Sequence, residues 1–430
     1  MSREMRHSGI EWIGEIPKKW NLVPTKRLFS CKKQVVGNSS DDYERLALTM
    51  QGVVKREKDD NEGLQPEKFD GYQILKPNEI VFKLIDLANI KTSRVGLSPF
   101  LGIVSPAYII IRNNSEDNRY FYYWFLFMYH HNIFNQMGDD GVRSSLNADD
   151  VLKIPVANIT LSEQQKIANY LDKVCGEVDE MIALQEQMIE ELKAYKQSVI
   201  TEAVTKGLNP GVPMKDSGID WIGEIPEGWK VCRMKNIASL FGRIGFRGYT
   251  SDDLNKDGEG AITLSPSNMM PMCMDYSKVT YLSWKKYEES PEIMIQNGDL
   301  LMVKTGSSYG KVSYVDKLPK EATINPQILR IVPSVSSKYL GYYMQTDLFI
   351  YQVEGGVVGG TIPTISQEKI NNFYVILPSD EEQQSIASYL DTKCAEIDAL
   401  IAIKQAKIDE LKDYKKSVIY EYVTGKKEVV

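Results

Sequence analysis

Two nearly identical stretches determine the architecture of this chain. Residues 8–20 read SGIEWIGEIPKKW and residues 217–229 read SGIDWIGEIPEGW, so that ten of thirteen positions agree at an offset of 209 residues. An internal repeat fixes the number of structural units, and its period indicates what kind of unit is repeated. A period above 200 residues is too long for a solenoid and indicates that a whole domain has been duplicated.

A second repeat lies at the end of each half. Residues 163–205 begin EQQKIANYLDKVCGEVDEMIAL and end ELKAYKQSVITEAVT, and residues 382–424 begin EQQSIASYLDTKCAEIDALIAI and end ELKDYKKSVIYEYVT. The offset here is 219 residues, so the second body is ten residues longer than the first. Each half therefore has an aromatic opening, a variable body and a long tail.

The tails are predicted to be long helices. Residues 162–206 contain no proline, and apolar residues recur there with alternating spacings of four and three. The positions are Ile167, Leu171, Val174, Val178, Met181, Met188, Leu192, Tyr195 and Val199 in the first tail, and Ile386, Leu390, Ile397, Leu400, Leu411, Tyr414 and Val418 in the second. This spacing predicts a coiled-coil seam. Gly207 and Gly425 are the predicted helix stops.

The length of each tail predicts its partner. About 43 residues at ~1.5 Å each give a rod of roughly 65 Å, longer than a small domain. Because two similar helices can cover each other's apolar stripes, we expect each tail to pack against the other.

The bodies combine strand-like and helix-like segments. Short apolar runs bounded by Gly, Pro, Asn and Ser predict strands at Glu79–Leu84, Gly102–Arg112, Asp299–Lys304, Lys311–Val315 and Ile328–Val332. The aromatic runs Arg119–Phe134 and Lys338–Gln352 predict buried helices, with a base-stacking surface as the alternative.

Composition limits the classes of function. The net charge is −7, and the two tails carry it: residues 159–207 have a net charge of −4 and residues 378–430 one of −3, whereas residues 1–158 have +1 and residues 208–377 have −1. Acidic helices are repelled by phosphate, so they are predicted to contact protein. A non-specific nucleic-acid coat is excluded, but a local DNA-reading surface is not.

The sequence also predicts the compartment. Its five cysteines are widely spaced, which is typical of a reducing cytoplasm. No apolar run approaches the roughly 18 residues of a membrane span, and the opening residues lack the apolar core of a signal peptide, so no membrane association is expected.

Motifs for catalysis are missing. The segment Gly306–Val312 (GSSYGKV) has three residues between its glycines and no Ser or Thr after the lysine, so it fails as a phosphate loop. The sequence contains no HExxH, GxSxG or GxGxxG motif, and no Asn/Asp-Pro-Pro signature of an adenine methyltransferase. Only three histidines are available. We therefore expect no catalytic residue and no metal site in this chain.

The layout resembles the specificity (S) subunit of type I restriction–modification systems over almost the whole chain. The resemblance is carried by the two SGI[ED]WIGEIP openings and the two EQQ-IA-YLD helices. LLMVKTGSSYGKV followed by ATINPQILRI (300–331) is similar to the family's strand–loop–strand element, and IVFKLIDLANIKTSRVGL followed by GIVSPAYIIIR is its counterpart in the first body. The turn-and-strand segments 141–156 and 359–378 precede the helices.

The resemblance implies an architecture. It is an α+β chain with two tandem mixed α/β target-recognition domains, each followed by a long helix, and the two helices pack as an antiparallel coiled coil. The expected segments are recognition domain 1 (residues 1–158), spacer helix 1 (159–207), recognition domain 2 (208–377) and spacer helix 2 (378–425).

The resemblance also implies a function. Each recognition domain would read one half of a split, asymmetric target in double-stranded DNA, while the helices set the spacing and dock the partners. Those partners would be two modification (methyltransferase) subunits and two restriction (translocase/endonuclease) subunits. The chain itself would hold no cofactor; S-adenosylmethionine, ATP and magnesium would be bound by the partners.

Loops in each body supply the candidate DNA-binding residues. Hydroxyl, amide and basic side chains bond phosphates or base edges, and arginine suits guanine. The candidates are Lys83, Asn89, Lys91, Thr92, Ser93, Arg94, Arg143, Ser144 and Ser145 in the first body, and Arg243, Arg247, Lys304, Thr305, Ser307, Ser308, Tyr309, Lys311, Asn325 and Thr361 in the second. The alternative is that these loops are solvated hairpins.

A second set of candidates concerns protein contacts. Trp12 and Trp221, at equivalent places in the openings, either anchor the opening on its own body or contact a partner subunit. On the helices, the candidates for an interface are Leu171, Leu192, Leu390 and Leu411. Two alternatives to the DNA-binding subunit stay open: a coiled-coil scaffold without a DNA role, and a DNA-modifying enzyme acting alone.

If the helices act as a ruler, changing their length changes only the gap between the half-sites. We expect matched insertions in both tails to alter the spacer and to leave each half-site sequence as it was. Sequencing of methylated DNA from cells that express the modification complex measures both. A changed half-site with an unchanged spacer would contradict the ruler.

Overall fold

The computed structural model of the chain describes residues 3–58, 68–87, 94–113, 115–137, 145–245, 248–255, 258–357 and 362–429. The chain divides into two compact units. Unit 1 is Met1–Glu186 together with Gln405–Val430, and unit 2 is Gln187–Lys404. Each unit therefore consists of one body and parts of both predicted long helices.

The elements of the first half follow in chain order. The strands are β1 (Met5–His7), β2 (Glu15–Pro17), β3 (Asn21–Pro24), β4 (Arg45–Thr49), β5 (Gly52–Arg56), β6 (Gln73–Leu75), β7 (Ile80–Phe82), β8 (Val95–Leu97), β9 (Gly102–Val104), β10 (Ile109–Ile111) and β11 (Pro155–Asn158). The helices are α1 (Asn118–His130), α2 (Ile133–Met137), α3 (Ala148–Lys153) and α4 (Leu161–Lys206).

The second half continues the count. Its strands are β12 (Met214–Asp216), β13 (Glu224–Pro226), β14 (Lys230–Arg233), β15 (Ala238–Gly242), β16 (Leu254–Asn255), β17 (Ala261–Leu264), β18 (Met269–Met270), β19 (Cys273–Met274), β20 (Thr280–Leu282), β21 (Leu300–Val303), β22 (Val312–Tyr314), β23 (Ala322–Ile324), β24 (Ile328–Pro333) and β25 (Tyr374–Leu377). Its helices are α5 (Trp284–Glu288), α6 (Ser337–Tyr343), α7 (Asp347–Gly356), α8 (Gln367–Asn371) and α9 (Asp380–Val423).

Each unit contains an antiparallel sheet with a corresponding central strand. In unit 1 the order is β10–β7–β8, and in unit 2 it is β15–β24–β21–β22, so β7 and β21 are both flanked on two sides. A second four-stranded sheet lies in each unit, ordered β5–β4–β9–β6 in unit 1 and β16–β20–β17–β23 in unit 2. All five predicted strand segments form strands; a turn at 105–108 divides one of them into β9 and β10.

The opening segments form the same anchor twice. Each makes a short hairpin, β1 with β2 and β12 with β13. Trp20 is 3% exposed and donates from Nε1 to Glu163 Oε1 at 3.3 Å, whereas Trp229 is 2% exposed and donates to Glu382 Oε1 at 3.2 Å. The first turn of each long helix is thus tied to the opening of its own body.

The opening strand also closes each body. β3 pairs with β11 in unit 1 and β14 pairs with β25 in unit 2, both antiparallel. β11 and β25 are the strands directly before the long helices α4 and α9. The start and the end of each body therefore lie side by side, and the long helix leaves from that point.

The aromatic runs are core helices, as predicted. In unit 1, Tyr120, Phe121 and Trp124 are fully buried. Each predicted single helix is divided in two, α1 and α2 in unit 1 and α6 and α7 in unit 2. In unit 1 the break contains Asn132 at φ 55°, a left-handed conformation that ends a helix.

The long helices end at the predicted glycines. Gly207 has φ 80° and Gly425 has φ 71°, left-handed values that favour glycine. A methyl group on Gly425 would lie 2.6 Å from Pro17 Cγ, so this glycine also permits the close approach to the opening segment. None of the helices in the described part of the chain has the length and hydropathy that a membrane crossing requires.

The two long helices pack antiparallel in each unit. In unit 1, Leu171 and Cys175 of α4 share a core with Val418 and Ile419 of α9. In unit 2, Val199 and Ile200 of α4 share a core with Leu390 and Cys394 of α9. The N-terminal part of each helix therefore meets the C-terminal part of the other, and the predicted coiled coil is confirmed.

The seam differs in part from the predicted stripe. Met181 is 46% exposed and Tyr195 is 51% exposed, so these two predicted seam residues face solvent. Cys175 and Ile189, which the prediction left out, are buried instead at 4% and 7% exposure. The helix carries two neighbouring apolar stripes with the same heptad spacing, and the prediction mixed them.

The seam leucine and an exposed leucine of α4 provide a matched test. Leu171 is fully buried, whereas Leu184 is 54% exposed. We expect Leu171→Ala to lower the free energy of unfolding by about 2–5 kcal/mol, because it leaves a cavity. Leu184→Ala should change it by less than about 0.5 kcal/mol. Denaturant unfolding measures both, and equal losses would contradict this assignment of the seam.

Candidate nucleic-acid interface

The ends of the two central strands bring the predicted DNA-binding residues together. In unit 2, β21 leads into the loop 304–311, which returns as β22. Gly306 has φ 106° and Gly310 has φ 81°, and Gly310 N donates to Val303 O at 2.8 Å. Two left-handed positions closed by a backbone hydrogen bond explain why this loop requires glycine.

A second segment covers this loop in the same way in both units. Ile365 N donates to Lys304 O at 2.9 Å in unit 2, and Leu146 N donates to Leu84 O at 3.0 Å in unit 1. Leu146 and Ile365 are equivalent, because each directly precedes the residue whose side chain caps α3 or α8. The frame around each central strand is therefore shared.

The loop of unit 2 exposes its hydroxyl groups. Ser307 and Ser308 are exposed, whereas Thr305, Tyr309 and Lys311 are half-buried. Thr305 forms an isolated bridge with Thr364, and the Tyr309 ring packs against the core of unit 2. The serines are thus the most accessible of the predicted residues in this loop.

Lys304 is half-buried at the end of β21. Its burial lowers the pKa of the ammonium below the usual value for lysine. Within the described residues its side chain has no hydrogen bond and no ion pair. Asn325, the other predicted residue close by, holds the neighbouring Gln327 through two hydrogen bonds of 3.0 and 3.2 Å.

Lys83 occupies the corresponding end of β7 in unit 1. Burial, followed by the charge of Arg94, lowers the pKa of the Lys83 ammonium. In the part of unit 1 that the structure describes, this side chain also lacks an ion pair. Ser145 is exposed beside the covering segment. Both central strands therefore end in a half-buried lysine without an acidic partner.

The two lysines are not at the same register position. The residue whose carbonyl accepts from the covering segment is Leu84 in unit 1 but Lys304 in unit 2. Lys83 is one residue earlier in that register. Since successive side chains of a strand point to opposite faces, the two bodies present their lysines on different faces of the sheet.

The central strands begin with an acid that is paired. Glu79 precedes β7 and bonds Arg112 at 2.7 Å, and Asp299 precedes β21 and bonds Arg330 at 2.7 Å. These four side chains are at most 13% exposed. Two further arginines of the chain therefore have a structural role that the sequence pattern did not single out.

Arg94 and Arg243 are corrections to the predicted set. Arg94 is 2% exposed and donates to the carbonyls of Asp86 and Leu87. Arg243 is 6% exposed and donates to Ile324 O at 3.2 Å. Burial with backbone acceptors gives both guanidinium groups a structural role and argues against contact with a base.

Part of the predicted set lies outside the described residues. These residues are Asn89, Lys91, Thr92, Ser93, Arg143 and Ser144 of the first body and Arg247 and Thr361 of the second. They stay predictions from the sequence.

The predicted tryptophan interface residues contact their own units. The Trp12 ring lies 6.0 Å from Phe127, and the Trp221 ring lies 5.4 Å from Tyr351. Both tryptophans are half-buried. The structure therefore favours the anchoring alternative for both tryptophans.

The predicted leucine interface residues lie within the helix pair. Leu171 and Leu390 are fully buried and Leu411 is 8% exposed, whereas Leu192 is half-buried. The first three are covered within the chain and offer no surface to a partner subunit.

The helices expose a different set of apolar side chains. Met181, Leu184 and Tyr195 of α4 are 46%, 54% and 51% exposed, and Leu400, Ile403 and Tyr414 of α9 are 46%, 63% and 51% exposed. The offset is 219 in all three pairs, so the repeat preserves them. We name Met181, Leu184 and Tyr414 the outer patch of unit 1, and Tyr195, Leu400 and Ile403 the outer patch of unit 2.

Comparison with known proteins gives one consistent result. The family model of the type I restriction modification DNA specificity domain matches residues 45–194 and 226–413. The type I restriction enzyme MjaVIII specificity subunit of Methanocaldococcus jannaschii is 25% identical over 281 residues, covering 64% of this chain and 62% of that protein. The putative MjaX specificity subunit of the same organism is 28% identical, covering 69% and 64%.

A solved structure supports the fold. It comes from work on complex assembly and conformational transition of the type I R-M system, and has a TM-score of 0.69 at 15% identity, covering 95% of this chain and 98% of the other. The alignments with the two curated relatives span less than two thirds of the length of those proteins.

Proposed function

Because the chain belongs to the type I restriction modification DNA specificity family, we propose that it recognises the DNA target of a type I restriction–modification complex. The observation that carries this proposal is that two bodies share one frame but differ at the ends of their central strands. Lys83 and Lys304 emerge on different faces of corresponding sheets. Two different reading ends on one frame suit a target with two different halves.

The shared frame is the part that does not vary. The anchors Trp20–Glu163 and Trp229–Glu382 and the closing strand pairs are the same in both units. Polar groups and glycine loops concentrate instead at the strand ends. Rigid scaffolds that carry variable loops are a common basis for recognition, because the loops can change without loss of the fold.

We assign the chemistry to partner subunits. Specificity subunits are not catalytic in themselves. In the proposed complex, two modification subunits methylate adenine with S-adenosylmethionine, and two restriction subunits use ATP and magnesium. This chain holds none of these cofactors and contributes the target sequence.

The outer patches are the proposed docking sites for the modification subunits. Exposed apolar side chains in a group mark an interaction site more often than a solvated surface. Each patch combines three such residues of a helix pair, and the repeat supplies one patch in each unit. Two equivalent patches suit two copies of one partner, and the acidity of the helices suits contact with protein more than with phosphate.

Exchange of one body tests the function. When residues 1–158 are replaced by the matching body of a specificity subunit with a known target, we expect one half of the methylated sequence to change and the other to stay. Exchange of residues 208–377 should change only the other half. Co-expression with the modification subunit and single-molecule sequencing of methylated adenines measures both. A stable complex without methylation would instead indicate a scaffold.

Charge in an outer patch tests the docking. Leu184→Glu should lose one modification subunit, and Leu184→Glu with Ile403→Glu should lose both, because a buried carboxylate opposes association. A hot-spot loss of about 2 kcal/mol weakens binding roughly 30-fold. Ala183→Glu and Ala402→Glu, at exposed neighbouring positions, are the matched controls. Mass photometry measures the stoichiometry; a complete complex with both patches charged would contradict the assignment.

A further inference from the structure

A polar recess lies at the end of β21 in unit 2. Lys304 follows this strand, and a methyl group placed on Gly242 would lie 3.2 Å from its Nζ and 3.8 Å from Gln367 Oε1. The missing side chain at Gly242 therefore leaves room for the ammonium group. Gln367 is itself held, because its Nε2 donates to Leu240 O at 2.8 Å.

The charge of Lys304 is unusual within unit 2. Lys286 pairs with Glu289 at 2.7 Å and Lys196 pairs with Asp398 at 2.7 Å, whereas Lys304 has no acidic partner among the residues that the structure describes. Burying a cation without a counter-charge opposes folding. A group that the fold leaves in this state is a candidate for contact with an acceptor from outside the chain.

Gln327 stands beside Lys304 on the neighbouring strand. The β21–β24 register pairs Val303 with Ile328, so Lys304 and Gln327 are opposite one another, and Lys304 N donates to Gln327 O at 2.8 Å. Side chains that are directly opposite share a face, with Cβ atoms about 4.5–5.5 Å apart. The two side chains therefore start from adjacent points.

The Gln327 amide is oriented by Asn325. Asn325 Oδ1 accepts from Gln327 N at 3.0 Å, and Asn325 Nδ2 donates to Gln327 Oε1 at 3.2 Å. The amide oxygen is thus engaged. Gln327 Nε2 has no acceptor within the described part of the chain, and a methyl group on Gly306 would lie 3.3 Å from it. The amide presents donors, next to the donors of Lys304.

We propose that Lys304 and Gln327 read a guanine in the major groove of the half-site bound by unit 2. Guanine presents two acceptors there, O6 and N7, and two adjacent donors match them. Adenine presents one donor and one acceptor, and cytosine presents a donor that meets these groups unfavourably. The inference rests on the proposed function and names the base class for one of the two reading ends.

The first experiment measures binding by the assembled modification complex. Fluorescence anisotropy is recorded for duplexes that carry each of the four bases, or 7-deazaguanine, at each guanine of the half-site of unit 2. We expect Lys304→Met to weaken binding about 10- to 100-fold at the cognate sequence and to abolish the preference for guanine at one position. The 7-deaza substitution there should weaken the unmodified complex but not the variant.

Gln327→Leu is the second variant and should reduce the preference at the same position. Lys285→Met is the matched control, since Lys285 is an exposed lysine of unit 2 and its loss makes the same change in charge. The half-site read by unit 1 should be unchanged in all three variants. Complex assembly, followed by mass photometry, should also be unchanged.

Three results would overturn the inference. One is a half-site for unit 2 without guanine on either strand. Another is a Lys304→Met loss that is equal for all bases and comes with a weaker salt dependence, because this indicates a phosphate contact. The third is an unaltered methylation motif in Lys304→Met. Failure of the proposed function is distinct: the unmodified complex would then methylate no defined split sequence.

Discussion

The burial of one apolar seam between two oppositely directed helices is the constraint on which each unit depends. In unit 1, Leu171 and Cys175 of α4 share a core with Val418 and Ile419 of α9, and that core continues into the aromatic helix of the body. A long polar helix gains most of its stability from packing of its apolar face. Residues 405–430 therefore belong with the first body, although they are last in the sequence.

The repeat encodes this interaction once and uses it twice. Lys415 bonds Asp179 at 2.6 Å in unit 1, and Lys196 bonds Asp398 at 2.7 Å in unit 2, with both residues exchanged at an offset of 219. Exposed ion pairs contribute only about 0.2–1 kcal/mol, so their main effect is on register. A frame that serves both units explains why the helix sequences stay similar while the bodies diverge.

The sequence predicted what depends on local pattern. Gly207 stops a helix because only glycine adopts its φ without strain, and this is visible in the sequence. The break at Asn132 was not predictable, since asparagine enters the left-handed region only where tertiary packing favours it. Met181 and Arg94 were misassigned because burial depends on neighbours that are distant in sequence. Gln327 was missed because its orientation comes from strand pairing.

Each central strand separates a stabilising charge from one that the fold leaves unpaired. At the start of β21, Asp299 and Arg330 compensate each other within the core, and the sheet is stabilised. At its other end, Lys304 has the same strand as support but no acid among the described residues, as Lys83 has at the end of β7. Because the paired end keeps the strand in place, the unpaired end can change its residues, and with them the DNA sequence it binds, without loss of the frame.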